Sequence, residues 1–315
     1  MNGRGDVNLK TEKQTFVIGT LYSLGAYILW GLLPIYWKWL EHVPAGEILA
    51  HRIVWSFVFV IAIIYLTKKS TAFRQQLIDF WEYPKRIVPV LIAGVLISCN
   101  WFIYIWAVNH NQIVEASLGY YINPLLSVLL GVIVLREKLS NWQVAALVLA
   151  GIGVSILTFQ HGEVPWLSIA LALSFALYGL VKKLITLDSV FSLAIETTLV
   201  LPIALFYIAN LQGQETSSFL TLSTSTTILL ICTGVATALP LLFFAEGLQR
   251  ISLSLNGFFQ YLAPTISLVL AVFIYQEPFT TVQLISFMFI WLGLILFTIS
   301  NTHFVKASEK KPVNV

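Results

Sequence analysis

Glu47, His51 and Arg52 stand close together in an otherwise apolar stretch. A carboxylate and an imidazole four residues apart share one helix face, where they either pair with each other or reach for a solute. Arg52 lies about 100° round the helix from His51 and offers a fixed fork of donors to a carboxylate or phosphate. Further along, Glu196 sits in a long apolar run, where an ionised carboxyl is expensive. It is read either as a proton carrier or as a neutral hydrogen-bonding strut. The amides of Asn100, Asn123 and Gln260 either tie helices together or donate to cargo. Trp101, Tyr120, Tyr121 and Tyr261, with Trp30, Phe258 and Phe259, present flat faces that stack organic molecules if they converge and otherwise fill gaps between helices. Glu115 and Glu246 fall near helix ends, where interfacial water can solvate them.

Chemistry of other kinds leaves no trace. There is no His-Glu-x-x-His for zinc and no Gly-x4-Gly-Lys-Ser/Thr phosphate loop, and Asp6, Asp79 and Asp188 lie outside the apolar runs. Cys99 and Cys232 lie inside them, where a thiol packs like alanine. No catalytic residue, metal or cofactor is therefore expected, and neither an enzyme nor an ATP-driven pump is the reading. A channel would need a filter segment, and none is present.

The elements that position these groups follow from composition. Of 315 residues, 58% are hydrophobic and 10% charged, too few charges to clothe a water-soluble globule of this size. Windows of about 20 apolar residues, enough to cross about 30 Å of hydrocarbon, occur ten times. They run over residues 16–37, 48–66, 87–108, 115–135, 142–159, 165–181, 190–209, 227–248, 251–275 and 282–300. All but Lys38 and Arg52 of the 18 lysines and arginines then fall on one face, which the positive-inside rule assigns to the cytoplasm together with both termini. The basic loops read as orientation signals and headgroup contacts, not as a nucleic-acid site. Trp37, Trp39, Trp81 and Trp142, near span edges, read as an interfacial belt.

Shifting the sequence by 140 residues brings Tyr121, Pro124, Ser127, Glu137, Gln143 and Gly153 onto Tyr261, Pro264, Ser267, Glu277, Gln283 and Gly293. A weaker echo at 148 pairs Gly31-Leu32 with Gly179-Leu180. Five spans per unit is an odd number, so the second unit must enter the membrane from the opposite side. An all-α protein of two inverted five-helix repeats is expected, at 15–160 and 161–301, between cytoplasmic tails 1–14 and 302–315. Such repeats put a binding site near the midplane and let it face either side. Pro124 and Pro264 each free a carbonyl four residues earlier and are read as hinges in the pocket wall.

Ten spans in a five-plus-five arrangement, with the Pro-x-x-Ser helix ending in Glu, resemble the EamA-type members of the drug/metabolite transporter superfamily. Val43-Pro44-Ala45-Gly46-Glu47-Ile48-Leu49 through Arg52, Glu115-Ala116-Ser117-Leu118-Gly119-Tyr120 through Asn123-Pro124, and Gly257-Phe258-Phe259-Gln260-Tyr261 look like its RarD branch. The resemblance implies a multi-pass protein of the bacterial inner membrane that carries small organic solutes or drugs without ATP, as a monomer or homodimer. A membrane sensor binding a small ligand is the alternative, although the loops are too short to hold an output module. Single cysteines at Ser140 and Thr280 are expected to react with an impermeant thiol reagent from opposite faces; labelling from one face would end the inverted-repeat reading.

Overall fold

Backbone amides in hydrocarbon find no water, so each apolar stretch must close its hydrogen bonds internally and becomes a helix. The computed structural model describes residues 3–110, 112–161, 165–276 and 279–309, and among them are helices and no strands. Ten segments are long and apolar enough to cross a membrane. They lie along α1 (Gly3–Lys38), α2 (Ala45–Leu66), α4 (Val88–Asn109), α5 (Ile113–Ile133), α6 (Asn141–His161), α7 (Trp166–Leu184), α8 (Ser189–Gly213), α9 (Thr224–Leu248), a divided span, and α12 (Thr281–Glu309), the first covering Lys13–Lys38 and the last Thr281–Ser300. Within the basic connection after α2 lies a further short helix, α3 (Ser70–Glu82). Its Phe80 is buried, its Phe73 ring meets Phe191 at 5.2 Å, and Leu77, Ile78 and Trp81 are exposed.

The divided span corrects the expectation of one helix over 251–275. It consists of α10 (Leu253–Phe259), a break at Gln260 and Tyr261, α11 (Leu262–Val269) and a π-type turn over Leu270–Ile274. Pro264 has no amide to give the Gln260 carbonyl, which accepts instead from Ala263 N at 3.2 Å. Pro124, by contrast, sits inside a continuous α5.

Helices in lipid associate through small residues that let backbones approach. A Cβ on Gly153 of α6 would come within 2.5 Å of Ser286 O and 2.9 Å of Ile290 Cγ1 on α12. A Cβ on Gly293 of α12 would meet Ala146 O at 2.8 Å and Ala150 N at 3.3 Å on α6. The two contact sets interconvert under the shift of 140. The wider packing has the same property. Exchanging α1, α2, α4, α5 and α6 for α7, α8, α9, α10–α11 and α12 turns the α1–α9 contact into α7–α4, α1–α11 into α7–α5 and α2–α9 into α8–α4, all of which exist. The pairs α2–α8, α5–α10 and α6–α12 map onto themselves. Left-handed backbone recurs at matching turns too, at Arg136 (φ 55°) and Gln276 (φ 54°). Glu277, the mate of Glu137, lies outside the described residues.

Candidate functional site

A cavity of about 370 Å³ opens between α1, α2, α4, α5, α7, α9 and α11. Its wall takes Trp30, Pro34 and Trp37 from the later turns of α1, Arg52 from α2, Asn100, Trp101 and Tyr104 from the end of α4, and Ser117, Tyr120, Tyr121 and Asn123 from α5. Phe175 of α7, Thr237 of α9, Gln260 and then Pro264 and Ser267 of α11 complete it. Late turns of α1 and α4 and early turns of α2, α5 and α7 belong to one end of the bundle. It is the end opposite the basic turns at Arg136–Lys138 and Lys182–Lys183.

Arg52 is the one charged group among the lining residues. Its guanidinium lies 5.0 Å from the Trp37 ring and 5.7 Å from the Trp101 ring, and its Nε donates to Thr237 Oγ1 at 2.9 Å. Two aromatic faces and one hydroxyl thus fix the plane of the fork, and among the described residues no carboxylate pairs with it. Trp37 is therefore a cavity residue, where the sequence pointed to an interfacial belt.

The amides of Asn100 and Gln260 are committed to ties across helices. Asn100 Nδ2 donates to Leu171 O at 2.9 Å and to Ser174 Oγ at 3.0 Å. Gln260 Nε2 donates to Ser127 Oγ at 3.1 Å, which donates in turn to Asn123 Oδ1 at 3.1 Å. Below this chain, Asn256 Nδ2 donates to Tyr27 Oη at 2.8 Å. The far end is shut by Glu137, whose two carboxylate oxygens accept from Leu253 N at 2.7 Å and Ser254 N at 2.8 Å. Lys183 Nζ donates to Leu248 O and Ile251 O at 2.6 and 2.5 Å across the same turn.

The structure brings Arg52, Asn100, Trp101, Tyr120, Tyr121, Asn123, Gln260 and Pro264 together at the cavity and leaves the other candidates outside its lining. Glu47 is fully buried, and its Oε1 accepts from Ser217 Oγ, Ser218 N and Phe219 N at 2.9, 2.7 and 3.2 Å, pinning the α8–α9 connection to the start of α2. His51 accepts from Trp55 Nε1 at 3.2 Å and packs against Phe219 at 4.6 Å between centroids. Tyr261 is buried in a cluster with Phe258, Ile290 and Phe297. Pro124 lies behind the wall, its carbonyl against Gly257. Glu115 caps α7, accepting from Leu167 N at 2.9 Å.

Glu196 has partners that the sequence did not reveal. Its Oε1 accepts from Lys182 Nζ at 2.8 Å and from Ser192 Oγ at 2.5 Å, and its Oε2 accepts from Tyr178 Oη at 3.1 Å. Lys182 and Glu196 are 3% and 2% exposed, which corrects the reading of Lys182 as a loop cation. Reasoning from sequence also missed Tyr104, Tyr27 and Thr237 as wall residues. Tyr104 carried a usable signal, since it follows Asn100 by four residues on one helix face; Thr237 carried none.

The sequence model of the EamA-like transporter family matches the chain twice, over residues 17–159 and 164–299. An uncharacterized transporter of Bacillus subtilis, YojE, is 46% identical over 296 residues, covering 92% of this chain and 97% of the relative. Protein RarD of Escherichia coli is 38% identical, covering 93% and 97%. The chloramphenicol-sensitive protein RarD of Pseudomonas aeruginosa is 28% identical, covering 88% and 92%. A crystal structure at 20% identity superposes with a TM-score of 0.67, covering 89% of this chain and 97% of that one, a likeness of fold alone.

Removing one member of a buried ion pair strands the other charge, at a cost of about 3–5 kcal/mol. Glu196→Gln is therefore expected to lower the melting temperature sharply, and the double change Lys182→Met with Glu196→Leu to recover much of the loss. Thermal denaturation of the purified protein checks this; a single variant as stable as the parent would contradict it.

Proposed function

The chain belongs to the EamA-like transporter family, and from that membership we propose that it is a secondary carrier moving small organic solutes across the bacterial inner membrane by alternating access. Two inverted halves, 15–160 and 161–301, enclose the mid-depth cavity. The cavity mouth lies away from the basic loops and so faces outward, with both termini in the cytoplasm. The reciprocal contacts of Gly153 and Gly293 support the inverted relation, because each glycine faces positions earlier in its mate's series, the offset of helices crossing in opposed directions.

One observation carries the reading. At the inner end, a Cβ on Gly257 would lie 3.1 Å from Ser127 Cβ and 3.2 Å from Pro124 O, so α10 and α5 are in close contact. The mates of these residues under the shift of 140 are Ser117, Ser267 and Pro264, and all three border the cavity. The α5–α10/α11 seam is closed at one end and parted at the symmetric position of the other. Exchanging those two states would move the mouth from one face to the other, and the break at Gln260 and Tyr261 gives the second half a place to bend. Glu196 lies outside the cavity lining and pairs with Lys182 at 2.8 Å, and we assign that pair to holding α7 against α8.

The test is a reversible lock. In a variant with Cys99 and Cys232 replaced by Ser, cysteines at Ser127 and Gly257 need a shift of a few tenths of an ångström to reach disulfide geometry, which has a Cβ separation of about 3.5–4.5 Å. Oxidation is expected to stop solute flux in proteoliposomes while outer-side binding persists, and reduction to restore flux. Full flux with the bond intact would contradict alternating access through this seam.

A further inference from the structure

We infer that the cargo is an organic anion carrying one flat aromatic body, and that zwitterions and amines are rejected. The inference rests on the carrier reading and names the substrate class of the same cavity. It comes from a census of the lining groups. Arg52 is the one ionised side chain there, and no Asp or Glu stands with it. A half-buried guanidinium facing a cavity is best completed by a carboxylate, and no described residue supplies one, so an anionic solute completes the site.

The guanidinium is held ready for that partner. Trp37 and Trp101 flank it and Thr237 takes its Nε, which leaves the two Nη nitrogens as the edge for two parallel bonds to a carboxylate. An ammonium has nothing comparable. The aromatic faces nearest the fork are already in use by Arg52, the like charge repels, and no carboxylate stands in the wall. Sugars and other polyhydroxylated solutes fare poorly as well, because two of the three wall amides, Asn100 and Gln260, already donate to Leu171, Ser174 and Ser127, which leaves only the Asn123 amide for many hydroxyls.

The rest of the wall suits a ring. Trp30 meets Phe175 edge-on at 5.7 Å, Tyr104 meets Tyr120 at 6.4 Å, and all four rings line the cavity with the fork. A volume of about 370 Å³ is at the small end of ligand cavities and fits a compact body of about one or two rings.

A matched series isolates the head group: 3-phenylpropionate (anion), phenylalanine (zwitterion), 2-phenylethylamine (cation) and 2-phenylethanol (neutral). Binding to the full-length protein in lipid nanodiscs is read by quenching of its tryptophan fluorescence and by thermal stabilisation. The anion is expected to bind roughly tenfold to a hundredfold tighter than phenylalanine, the range of a charge-assisted bidentate contact, and the amine to bind weakest. Arg52→Lys keeps the charge and loses the fork, so it should weaken 3-phenylpropionate about tenfold and leave 2-phenylethanol unchanged. Phenylalanine or the amine binding as well as the anion, or none of the four binding, overturns the proposed class. Both outcomes are read on the parent protein and need no variant. The expected ranking without flux into proteoliposomes would sink the carrier reading and leave the class standing, while flux indifferent to head-group charge would do the reverse.

Discussion

A guanidinium at membrane depth, with no carboxylate beside it, is the constraint around which the rest of this bundle is arranged. Carrying Arg in a transmembrane helix costs about 2.5–3.5 kcal/mol on insertion scales unless water or a partner reaches it. Here the offset comes from a cavity that admits solvent, two tryptophan faces and one threonine hydroxyl. Other charges in or beside the spans are spent on the protein itself. Glu47 holds the α8–α9 connection, Glu115 caps α7, Glu137 caps α10, Glu246 pairs with Arg250, and Lys182 with Glu196 forms a buried pair. Against that background the fork of Arg52 stands apart, facing the cavity with no carboxylate paired to it among the described residues.

The acids also tie together the end of the bundle that lies away from the cavity. Glu137 and Lys183 clamp the turn between α9 and α10 from opposite electrical signs, one on amides and the other on carbonyls. Each interaction satisfies backbone groups that a helix terminus leaves open. The clamp joins α5 to α10, since Glu137 follows α5 and Leu253 begins α10.

Depth was legible in the sequence and neighbours were not. Hydropathy windows gave the ten spans to within a few residues, and the same windows put Arg52, Asn100, Asn123 and Gln260 deep enough to meet in a cavity. A window carries no information about which helix a side chain faces. Lys182 therefore looked like a loop cation, although it points inward from the last turn of α7 to Glu196. Trp37 looked like a belt residue because its position near a span edge says nothing of Arg52 on the next helix. Glu47 and His51 share a face with each other but not with the cavity, and that face is closed by Phe219, 172 residues further along. The break at Gln260 was half legible: Pro264 announced the lost bond, but its mate Pro124 lost the same bond without breaking α5.

The most direct test of the account is an experimental density map of the protein with a brominated 3-phenylpropionate bound, the bromine marking the ring. The carboxylate is expected on the Nη edge of Arg52, between Trp37 and Trp101, with bromine density among the cavity rings Trp30, Tyr104 and Tyr120. A ligand elsewhere, or a protein carboxylate on Arg52, would contradict it.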